Sequence, residues 1–390
     1  MPPAPQTSTR LDAAHRIGRE IAAVHAGDVD KNARFPRESI AALRDEKLLS
    51  ALVPVELGGM GMGMMELSTI CTALGQYCSA TAMVFAMHQI QVACLVRHAL
   101  SSSDLRAYLQ SVASEQRLIA SVTSEVGVGG DTRSSICAIE QTQDRFVLAK
   151  DATTISYGEH AQDLLVTCRR HPAAASGDQV MVLLKQGDFQ LERTSSWDTL
   201  GMRGTCSPGF KLTSSGHVSQ IVPGDYGAMS SQTMVPFSHV LWASLWLGIA
   251  IDAVARTGSF VRAQARAKPG VVPPAALRLA EVSNMLQVLR ISTHDVADEC
   301  ERLMSSSEGN EAMLAIGFSL KMNNVKIYAS EQTVAIIQAA LQICGIVGYK
   351  NDTKYSLGRH LRDAFSASLM VSNDRIYAKN ASMLLVHKDP

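Results

Sequence analysis

The chain has 390 residues, of which 46% are hydrophobic and 18% are charged, which is enough for two or three packed units. Its 36 Lys and Arg residues balance 36 Asp and Glu residues, so the net charge favours neither a nucleic acid nor an anionic membrane surface as partner. No window reaches 18 consecutive apolar residues, so the sequence predicts no membrane span, and the N-terminal MPPAPQTSTR lacks the apolar core of a signal peptide.

The eight cysteines are scattered along the chain without a CxxC pair or a histidine cluster. This pattern favours reduced thiols in a cytoplasmic protein, with neither disulfides nor a metal site.

The first 116 residues read as an α-helical unit. Apolar residues recur with helical spacing, and Gly27 ends the first helix while Pro36 lies near the start of the second. The predicted helices cover residues 8–27, 35–49, 64–78, 80–99 and 102–115.

Residues 117–225 follow a different pattern, which predicts a small, barrel-like β domain. Short runs rich in β-branched residues are separated by Gly, Ser and Asp clusters. The predicted strands lie in RLIASVTSE, RFVLAKDATTIS, DLLVTCRR, QVMVLLKQ and FKLTS.

Helical periodicity returns in residues 226–390, where four long segments predict a four-helix bundle. RAKPGVVPP (266–274) forms the turn between the first two segments. The predicted fold class is therefore α+β and mainly α, with a β domain between two helical units. The predicted helices cover residues 236–266, 274–304, 310–344 and 358–387.

A glycine-rich loop, QICGIVGY, joins the last two helices, and LRDAF follows it. Gly345 and Gly348 permit positive φ angles and close approach of the backbone, which suits either a phosphate-cradling loop or a tight helix–helix turn. The loop alone does not separate these two interpretations.

Taken together, several segments resemble the acyl-CoA dehydrogenase superfamily over essentially the whole chain. The segments that carry the resemblance are SEVGVGGD (124–131), KDATTISYG (150–158), LGMRGT (200–205), RAKPG (266–270), QICGIVGY (342–349) and RDA (362–364). This resemblance implies a flavoprotein that binds FAD, with a neighbouring copy of the chain completing each site in a homodimer or homotetramer.

The resemblance also implies which residues contact the flavin. SEVGVGGD resembles the loop that covers the flavin in the family and supplies Ser124, Gly129 and Gly130, although a polar hairpin turn would have the same composition. Thr154 takes the place of a threonine that contacts the flavin, but it would also suit an ordinary strand.

The resemblance implies that six further residues contact other parts of the dinucleotide. Arg266 takes the place of an arginine that reaches a neighbouring subunit's flavin, with a solvated surface arginine as the alternative. Gln342, Gly345 and Gly348 match a loop beside the adenine half, and Asn373 and Arg375 replace a Thr and a Gln near the adenine.

The family's catalytic glutamate is missing. Its usual position is occupied by Val371, and the alternative position used by some members aligns with about Ser238. Removal of a weakly acidic α-proton requires a well-aimed base, and neither position supplies a carboxylate. The base must therefore be unusual or supplied by the substrate.

Two histidines are candidates for acid–base chemistry. His88 lies in VFAMHQIQ, on a buried helix that lines the acyl pocket in the resembling fold, and monooxygenases of that fold carry a histidine at a similar position. A satisfied core histidine is the alternative for His88. His239 adjoins the alternative glutamate position.

Three functions fit these features. The leading hypothesis is an FAD-dependent oxidoreductase acting on an acyl thioester carried by CoA or an acyl-carrier protein, with an electron-transfer flavoprotein or O2 as acceptor. The second is a flavin-dependent monooxygenase that uses His88. The third is an inactive partner subunit that has lost its activity, with Val371 in place of the catalytic glutamate.

Overall fold

The computed structural model describes residues 5–388. Residues 1–4 and 389–390, which belong to the first and third predicted units and include the start of MPPAPQTSTR, lie outside the described residues. The predicted mainly helical α+β class is confirmed, with helices on both sides of a β domain.

From residue 5 onward, the N-terminal unit contains six α-helices. α1 continues into α2 through a π-turn at Gly18–Ala22, and the loop after α3 is made of two short 3-10 turns, Leu48–Ser50 and Val55–Leu57. The helices are α1 (Pro5–Ile17), α2 (Ala23–Lys31), α3 (Arg37–Asp45), α4 (Met64–Gly75), α5 (Ser79–His98) and α6 (Ser103–Glu115).

The β domain contains two sheets. One has the order β1–β4–β5 with β1 parallel to β4, and the other is antiparallel with the order β2–β3–β7–β6. The strands are β1 (Ile119–Val122), β2 (Glu140–Thr142), β3 (Arg145–Ala152), β4 (Asp163–Arg169), β5 (Gln179–Leu184), β6 (Phe189–Arg193) and β7 (Phe210–His217).

The two sheets differ in burial, and among the described residues they do not close into the barrel-like arrangement that the sequence suggested. β4 and β5 are buried along their length, as their continuous apolar sequences require. β3 alternates between exposed and buried residues, so the second sheet keeps one face in solvent. Each sheet therefore packs as a separate layer.

The C-terminal unit is built around α8 (Val235–Ala267), which packs against helices of both helical units and is buried over most of its first half. A π-turn at Ser230–Met234 leads into α8. The remaining helices are α7 (Tyr226–Met229), α9 (Ala275–Met304), α10 (Gly309–Ala312), α11 (Ile316–Cys344), α12 (Ile346–Tyr349), α13 (Gly358–Leu369) and α14 (Asn373–Leu384).

Two stretches, Ser79–His98 and Tyr226–Ala267, are long and apolar enough to cross a membrane. Most of each apolar window, 89% and 83% respectively, is buried inside the protein. Burial of this extent is what the core helices of a folded domain require.

The Arg-Asp pair in the middle of α13 fixes the β domain to both helical units. Asp363 accepts a hydrogen bond from the backbone N–H of Met202 at 2.6 Å and another from the hydroxyl of Ser79. The guanidinium of Arg362 binds Asp30 and donates to the carbonyl oxygen of Leu200 at 2.9 Å. The three units therefore meet at one polar junction.

Candidate active site

A cavity of about 860 Å³ lies where the β domain meets α5, the start of α8 and the α13–α14 turn. Its wall is mostly apolar, and polar groups are confined to a few places. Lining residues include Met83, Met87, Ile90, Gln91, Ser124, Gly130, Thr154, Trp197, Met202, Met234, Ser238, His239, Trp242, Phe365, Met370, Val371 and Arg375. An apolar cleft with few polar groups is the usual form of a small-molecule site.

Glu125 holds the glycine-rich loop at the edge of the cavity. Its carboxylate accepts hydrogen bonds from the Ser135 hydroxyl at 2.7 Å and the Cys137 backbone N–H at 2.6 Å, and lies 3.5 Å from the Lys150 ammonium. Burial alone would raise the pKa of Glu125, but these donors and the nearby cation lower it below its ordinary value. The Glu125 carboxylate is therefore ionised, and its hydrogen bonds and its contact with Lys150 hold the loop in place.

Ser124 and Thr154 join this loop to the end of β3. The Ser124 hydroxyl donates to the carbonyl oxygen of Thr154 at 2.7 Å and accepts from its backbone N–H at 3.1 Å. Both side chains line the cavity. The structure thus brings together two of the residues predicted to contact a flavin.

Arg375, from the first turn of α14, lies against Gly129 and Gly130. The two glycines have φ angles of 61° and 80°, which side-chain-bearing residues rarely adopt. A Cβ atom on Gly130 would lie 2.8 Å from Nη1 of Arg375. In the described part of the chain Arg375 forms no ion pair, so its charge is available at the cavity wall.

These residues fit a flavin. The apolar wall, with Trp197 and Trp242, suits a flat ring system, while the guanidinium of Arg375 beside a glycine loop suits a phosphate group. Ser124, Thr154, Gly129, Gly130 and Arg375 would hold the cofactor on the side of the β domain.

Val371 lies in the break between α13 and α14, where a continuous helix over 358–387 was predicted. Its φ angle is 50°, a left-handed conformation that is strained for a β-branched residue. The side chain is 40% exposed and lines the cavity. The position predicted for the missing glutamate therefore does face the candidate site.

His239 lies on the opposite wall, in the first turns of α8. Its Nδ1–H donates to the carbonyl oxygen of Met322 at 3.0 Å, and among the described residues Nε2 has no hydrogen-bond partner. Burial first, and then the charges of Lys326 and Lys379, lower the pKa of His239 to about 3. The imidazole is therefore neutral, and its Nε2 lone pair is free to accept.

His88 does not line the cavity, contrary to the expectation that made it an acid–base candidate. Its Nε2–H donates to the carbonyl oxygen of Leu49 at 2.7 Å, and its Nδ1 accepts from the backbone N–H of Ile119 at 3.1 Å. The side chain is fully buried, and burial lowers its pKa to about 4. His88 thus joins α5 to the N-terminal loop and β1 as a neutral core residue.

Asn373 is also placed differently from the expected contact near an adenine. Its side chain is 7% exposed, accepts a hydrogen bond from the Lys326 ammonium at 2.6 Å and donates to the Ser330 hydroxyl at 3.0 Å. Burial lowers the pKa of Lys326 to about 8. Asn373 therefore satisfies a buried lysine rather than facing the cavity.

The remaining predicted cofactor residues lie away from the cavity of their own chain. Arg266, Gln342 and Gly345 are exposed at the ends of α8 and α11. Gly348 is buried, and a Cβ there would lie 2.6 Å from Cβ of Cys344, so close packing accounts for this glycine. A contact with a neighbouring subunit's cofactor stays a prediction for the exposed three.

Sequence reasoning missed Gln91 and Trp242, which line the helical wall. Each carries a buried polar atom without a partner, Oε1 of Gln91 and Nε1 of Trp242. Trp242 follows His239 by three residues on α8, a helical spacing that places both on one face. That spacing was the one available signal, because unpaired atoms become visible only in the folded protein.

Two family models match the chain. The acyl-CoA dehydrogenase N-terminal domain matches residues 6–116, and the acyl-CoA dehydrogenase C-terminal domain matches residues 227–370. The mitochondrial isovaleryl-CoA dehydrogenase of Oryza sativa subsp. japonica is 24% identical over 360 residues, which cover 90% of this chain and 84% of that protein.

Two solved structures show the same fold. Butyryl-CoA dehydrogenase from Megasphaera elsdenii has a TM-score of 0.83 and 17% identity, covering 99% of both chains. FMN-bound TdsC from Paenibacillus sp. A11-2, a dibenzothiophene monooxygenase, has a TM-score of 0.82 and 18% identity, covering 97% of this chain and 98% of that one.

Proposed function

Because the chain belongs to the acyl-CoA dehydrogenase family, we propose that it is an FAD-dependent oxidoreductase acting on an acyl thioester of CoA or an acyl-carrier protein. Its proton acceptor is His239 in place of the family's carboxylate. One observation carries this proposal: within residues 5–388, His239 is the cavity-lining side chain that has an unengaged basic atom.

The acidic alternative in the cavity wall is already engaged. Asp131 accepts from the backbone N–H of Arg133 and from the Ser134 hydroxyl, both at 2.9 Å. Val371 and Ser238 occupy the two places where a glutamate would serve, and Ser238 donates to the carbonyl oxygen of Val235 at 3.0 Å. These contacts leave the proton-accepting role to His239.

In the proposed reaction, different residues of the chain bind the cofactor, accept the proton and exclude water. Ser124, Thr154, Gly129, Gly130 and Arg375 hold the cofactor. A bound FAD would supply two-electron redox chemistry at this site. His239, held as the Nδ1–H tautomer by Met322, accepts the accompanying proton at Nε2. The apolar helical wall excludes water from the reacting atoms.

Anaerobic mixing with acyl thioesters tests the proposal. We expect protein reconstituted with FAD to lose its visible flavin absorbance when a suitable acyl-CoA or acyl-carrier-protein thioester is added. The His239→Phe variant should keep its colour and still bind the thioester. Loss of colour at the wild-type rate in His239→Phe would contradict the assignment of His239, and lasting colour in both proteins would contradict dehydrogenation.

A flavin-dependent monooxygenase is the second candidate. Two observations favour it: the cavity wall lacks a free carboxylate among the described residues, and the fold closely matches TdsC. This function requires the flavin to be reduced first by another protein and then to consume O2. Oxygen uptake dependent on substrate, measured with chemically reduced flavin, would distinguish it from dehydrogenation.

An inactive partner subunit is the third candidate, and it makes a distinct prediction. Such a chain would bind neither thioester nor O2 productively, whatever the flavin content. Retention of colour with all thioesters, together with an absence of oxygen uptake, would support it.

We also propose that a second copy of the chain completes the cofactor site. Gln342 and Gly345 lie on the surface, near in sequence to the apolar side chains of Ile346 and Tyr349, which are 67% and 70% exposed, and Arg266 is exposed at the end of α8. Exposed apolar patches with a nearby cation commonly mark interfaces. Sedimentation at several protein concentrations should give a dimer or tetramer, and Arg266→Ala should weaken FAD binding without changing that state.

A further inference from the structure

The cavity has a cationic edge, which is formed by Arg375 and the glycine-rich loop. A Cβ atom on Gly130 would lie 2.8 Å from Nη1 and 3.3 Å from Nη2 of Arg375, and one on Gly129 would lie 3.6 Å from Nη2. The guanidinium therefore packs against the loop backbone, at a place that glycine keeps open. Arg375 is exposed and lines the cavity, and within residues 5–388 it forms no ion pair.

Two further cations lie near this edge. Lys379 follows Arg375 by four residues on α14, a spacing that places both on one face of the helix. Burial first, and then the charge of the nearby Arg133, lower the pKa of Lys379, whereas Asp131 raises it. The three cations outnumber the two carboxylates beside them along the chain, Asp131 and Asp374, so the edge attracts an anion.

The same cavity contains a place for the ring of a flavin. Ser124 and Thr154 line it, and the hydroxyl of Ser124 is joined to the backbone of Thr154 by hydrogen bonds of 2.7 Å and 3.1 Å. Trp197 and Trp242 belong to the apolar part of the wall. A ring system and one phosphate group therefore both meet suitable residues within a single cavity of a single chain.

Within one chain, the described residues predicted for the adenine half of FAD lie away from this cavity, apart from Arg375 itself. Asn373 is 7% exposed and is engaged by the Lys326 ammonium at 2.6 Å. Gln342 and Gly345 are not among the residues that line the cavity. The contacts that one chain offers thus extend from the ring to the first phosphate.

We propose that the residues of one chain form a complete site for a flavin mononucleotide, with its phosphate on Arg375 and the glycine-rich loop, so that FMN binds about as tightly as FAD. The inference rests on the proposed function and changes only the nucleotide form of its cofactor. FMN and FAD share this phosphate, whereas riboflavin lacks it. A planar guanidinium donates two parallel hydrogen bonds to phosphate oxygens, so Arg375 distinguishes FMN from riboflavin.

Titration of the full-length apoprotein with riboflavin, FMN and FAD tests this site. Equilibrium dialysis gives the three dissociation constants. We expect FMN to bind within about 10-fold of FAD, and riboflavin to bind at least about 10-fold more weakly than FMN, the scale of a charge-assisted contact. A smaller difference between riboflavin and FMN, or a larger one between FMN and FAD, overturns the mononucleotide site and leaves the proposed function intact. Failure of all three flavins to bind overturns both.

Arginine variants locate the phosphate. Arg375→Gln should reduce the preference for FMN over riboflavin to about 3-fold or less, whereas Arg375→Lys keeps the charge and should keep part of the preference. Arg290→Gln, at an exposed arginine of α9 that does not line the cavity, is the matched control and should keep all of it. Because Arg375 is exposed, its variants should melt within about 2 °C of the wild type. A preference that stays at the wild-type level in folded Arg375→Gln overturns the assignment.

The phosphates of a CoA thioester are the other source of the same chemistry. If the cationic edge bound them instead, Arg375→Gln would weaken the binding of butyryl-CoA to the flavin-loaded protein and leave the relative affinities of the three flavins unchanged. That result overturns the mononucleotide site. The wild-type comparison of riboflavin with FMN decides the matter even if Arg375→Gln fails to fold.

Discussion

The Nδ1 atom of His239, on α8, lies 3.0 Å from the carbonyl oxygen of Met322, on α11, and donates its proton there. This bond fixes the tautomer, so the lone pair is on Nε2, the nitrogen without a protein partner. A histidine held in this way differs from His88, whose two nitrogens are both used by backbone groups. The two buried histidines therefore differ in bonding: His239 keeps one nitrogen without a protein partner, whereas both nitrogens of His88 bond to the backbone.

Replacing His239 with Phe removes the proposed proton acceptor while keeping a ring of similar size. We expect turnover to fall about 100-fold, the usual contribution of a positioned acid–base group. Flavin binding should stay within about 3-fold of the wild type. Steady-state kinetics and flavin titration measure the two effects, and Ser238→Ala, at the neighbouring lining position, is the matched control. Turnover near the wild-type level in His239→Phe would exclude a role in proton transfer.

Protonation of His239 should not affect the acidic side of the pH profile of kcat/KM. Its folded-state pKa of about 3 lies far below neutral pH, so the accepting neutral form is already complete at pH 6. We expect kcat/KM to show no loss attributable to this group between pH 6 and pH 8. The charges of Lys326 and Lys379 contribute to this low pKa after burial, so Lys326→Met should raise the pKa of His239 towards its ordinary value. Titration of the His239 ring signal by NMR measures that shift, and an unchanged pKa would refute the charge effect.

His88 should affect stability and its pH dependence. The folded-state pKa is about 4 and the unfolded value about 6.5, so the unfolded chain binds more protons between these values. The free energy of unfolding therefore falls as pH falls from about 6.5 towards 4. His88→Leu should cost about 2–4 kcal/mol at pH 7.5, because Leu49 and Ile119 lose partners.

The same variant should also be less sensitive to acid. The loss of stability between pH 7.5 and pH 5 should shrink by about 2 kcal/mol in His88→Leu, since one buried histidine no longer titrates. Urea unfolding at the two pH values gives both quantities. A large loss of turnover per bound flavin in folded His88→Leu would restore His88 as a catalytic candidate.

Val371→Gly should stabilise the protein. Glycine adopts the observed φ of 50° without the strain that a β-branched side chain carries, and Val371 is only partly buried. We expect a gain of about 1 kcal/mol in the free energy of unfolding. Val371→Glu should keep the fold because the side chain faces the cavity. Severe destabilisation by Val371→Glu would instead indicate that Val371 is buried in the protein core and does not face an open cavity.

Glu125→Gln should loosen the loop that edges the cavity. The amide cannot neutralise Lys150, whose buried ammonium lies 3.5 Å from the native carboxylate. Leaving a buried charge without its partner costs about 3–5 kcal/mol. We expect lower stability and flavin binding at least about 10-fold weaker, measured by thermal melting and flavin titration. Glu115→Gln, at an exposed ion pair with Arg117, is a control that should change neither quantity.

Periodicity and turn composition predicted the order of helices, strands and helices, because long amphipathic runs depend little on distant contacts. The short strands β2 and β6 were missed because their residues are mostly exposed and lack strict alternation. The break at Met370–Ser372 was missed because no glycine or proline marks it. Val371 adopts a strained angle there that tertiary packing must enforce.

The sequence predicted only part of the candidate site. Ser124, Gly130, Thr154, His239, Val371 and Arg375 all line the cavity or its edge, as motif resemblance suggested. His88 and Asn373 were misplaced because a sequence does not reveal which backbone groups a side chain will satisfy. Gln91 and Trp242 escaped notice for the same reason, since a missing partner is a property of the packed structure.

The junction made by Asp363 has a consequence for how such proteins diversify. Asp363 itself does not line the cavity, yet its bonds to Met202 and Ser79 tie together all three units. Arg362 belongs to the junction and also lines the cavity, whereas Phe365, Val371 and Arg375, further along the chain, line the cavity without joining that junction. Substitutions at Phe365, Val371 or Arg375 can therefore reshape the cavity wall while the Asp363 bonds continue to hold the three units together.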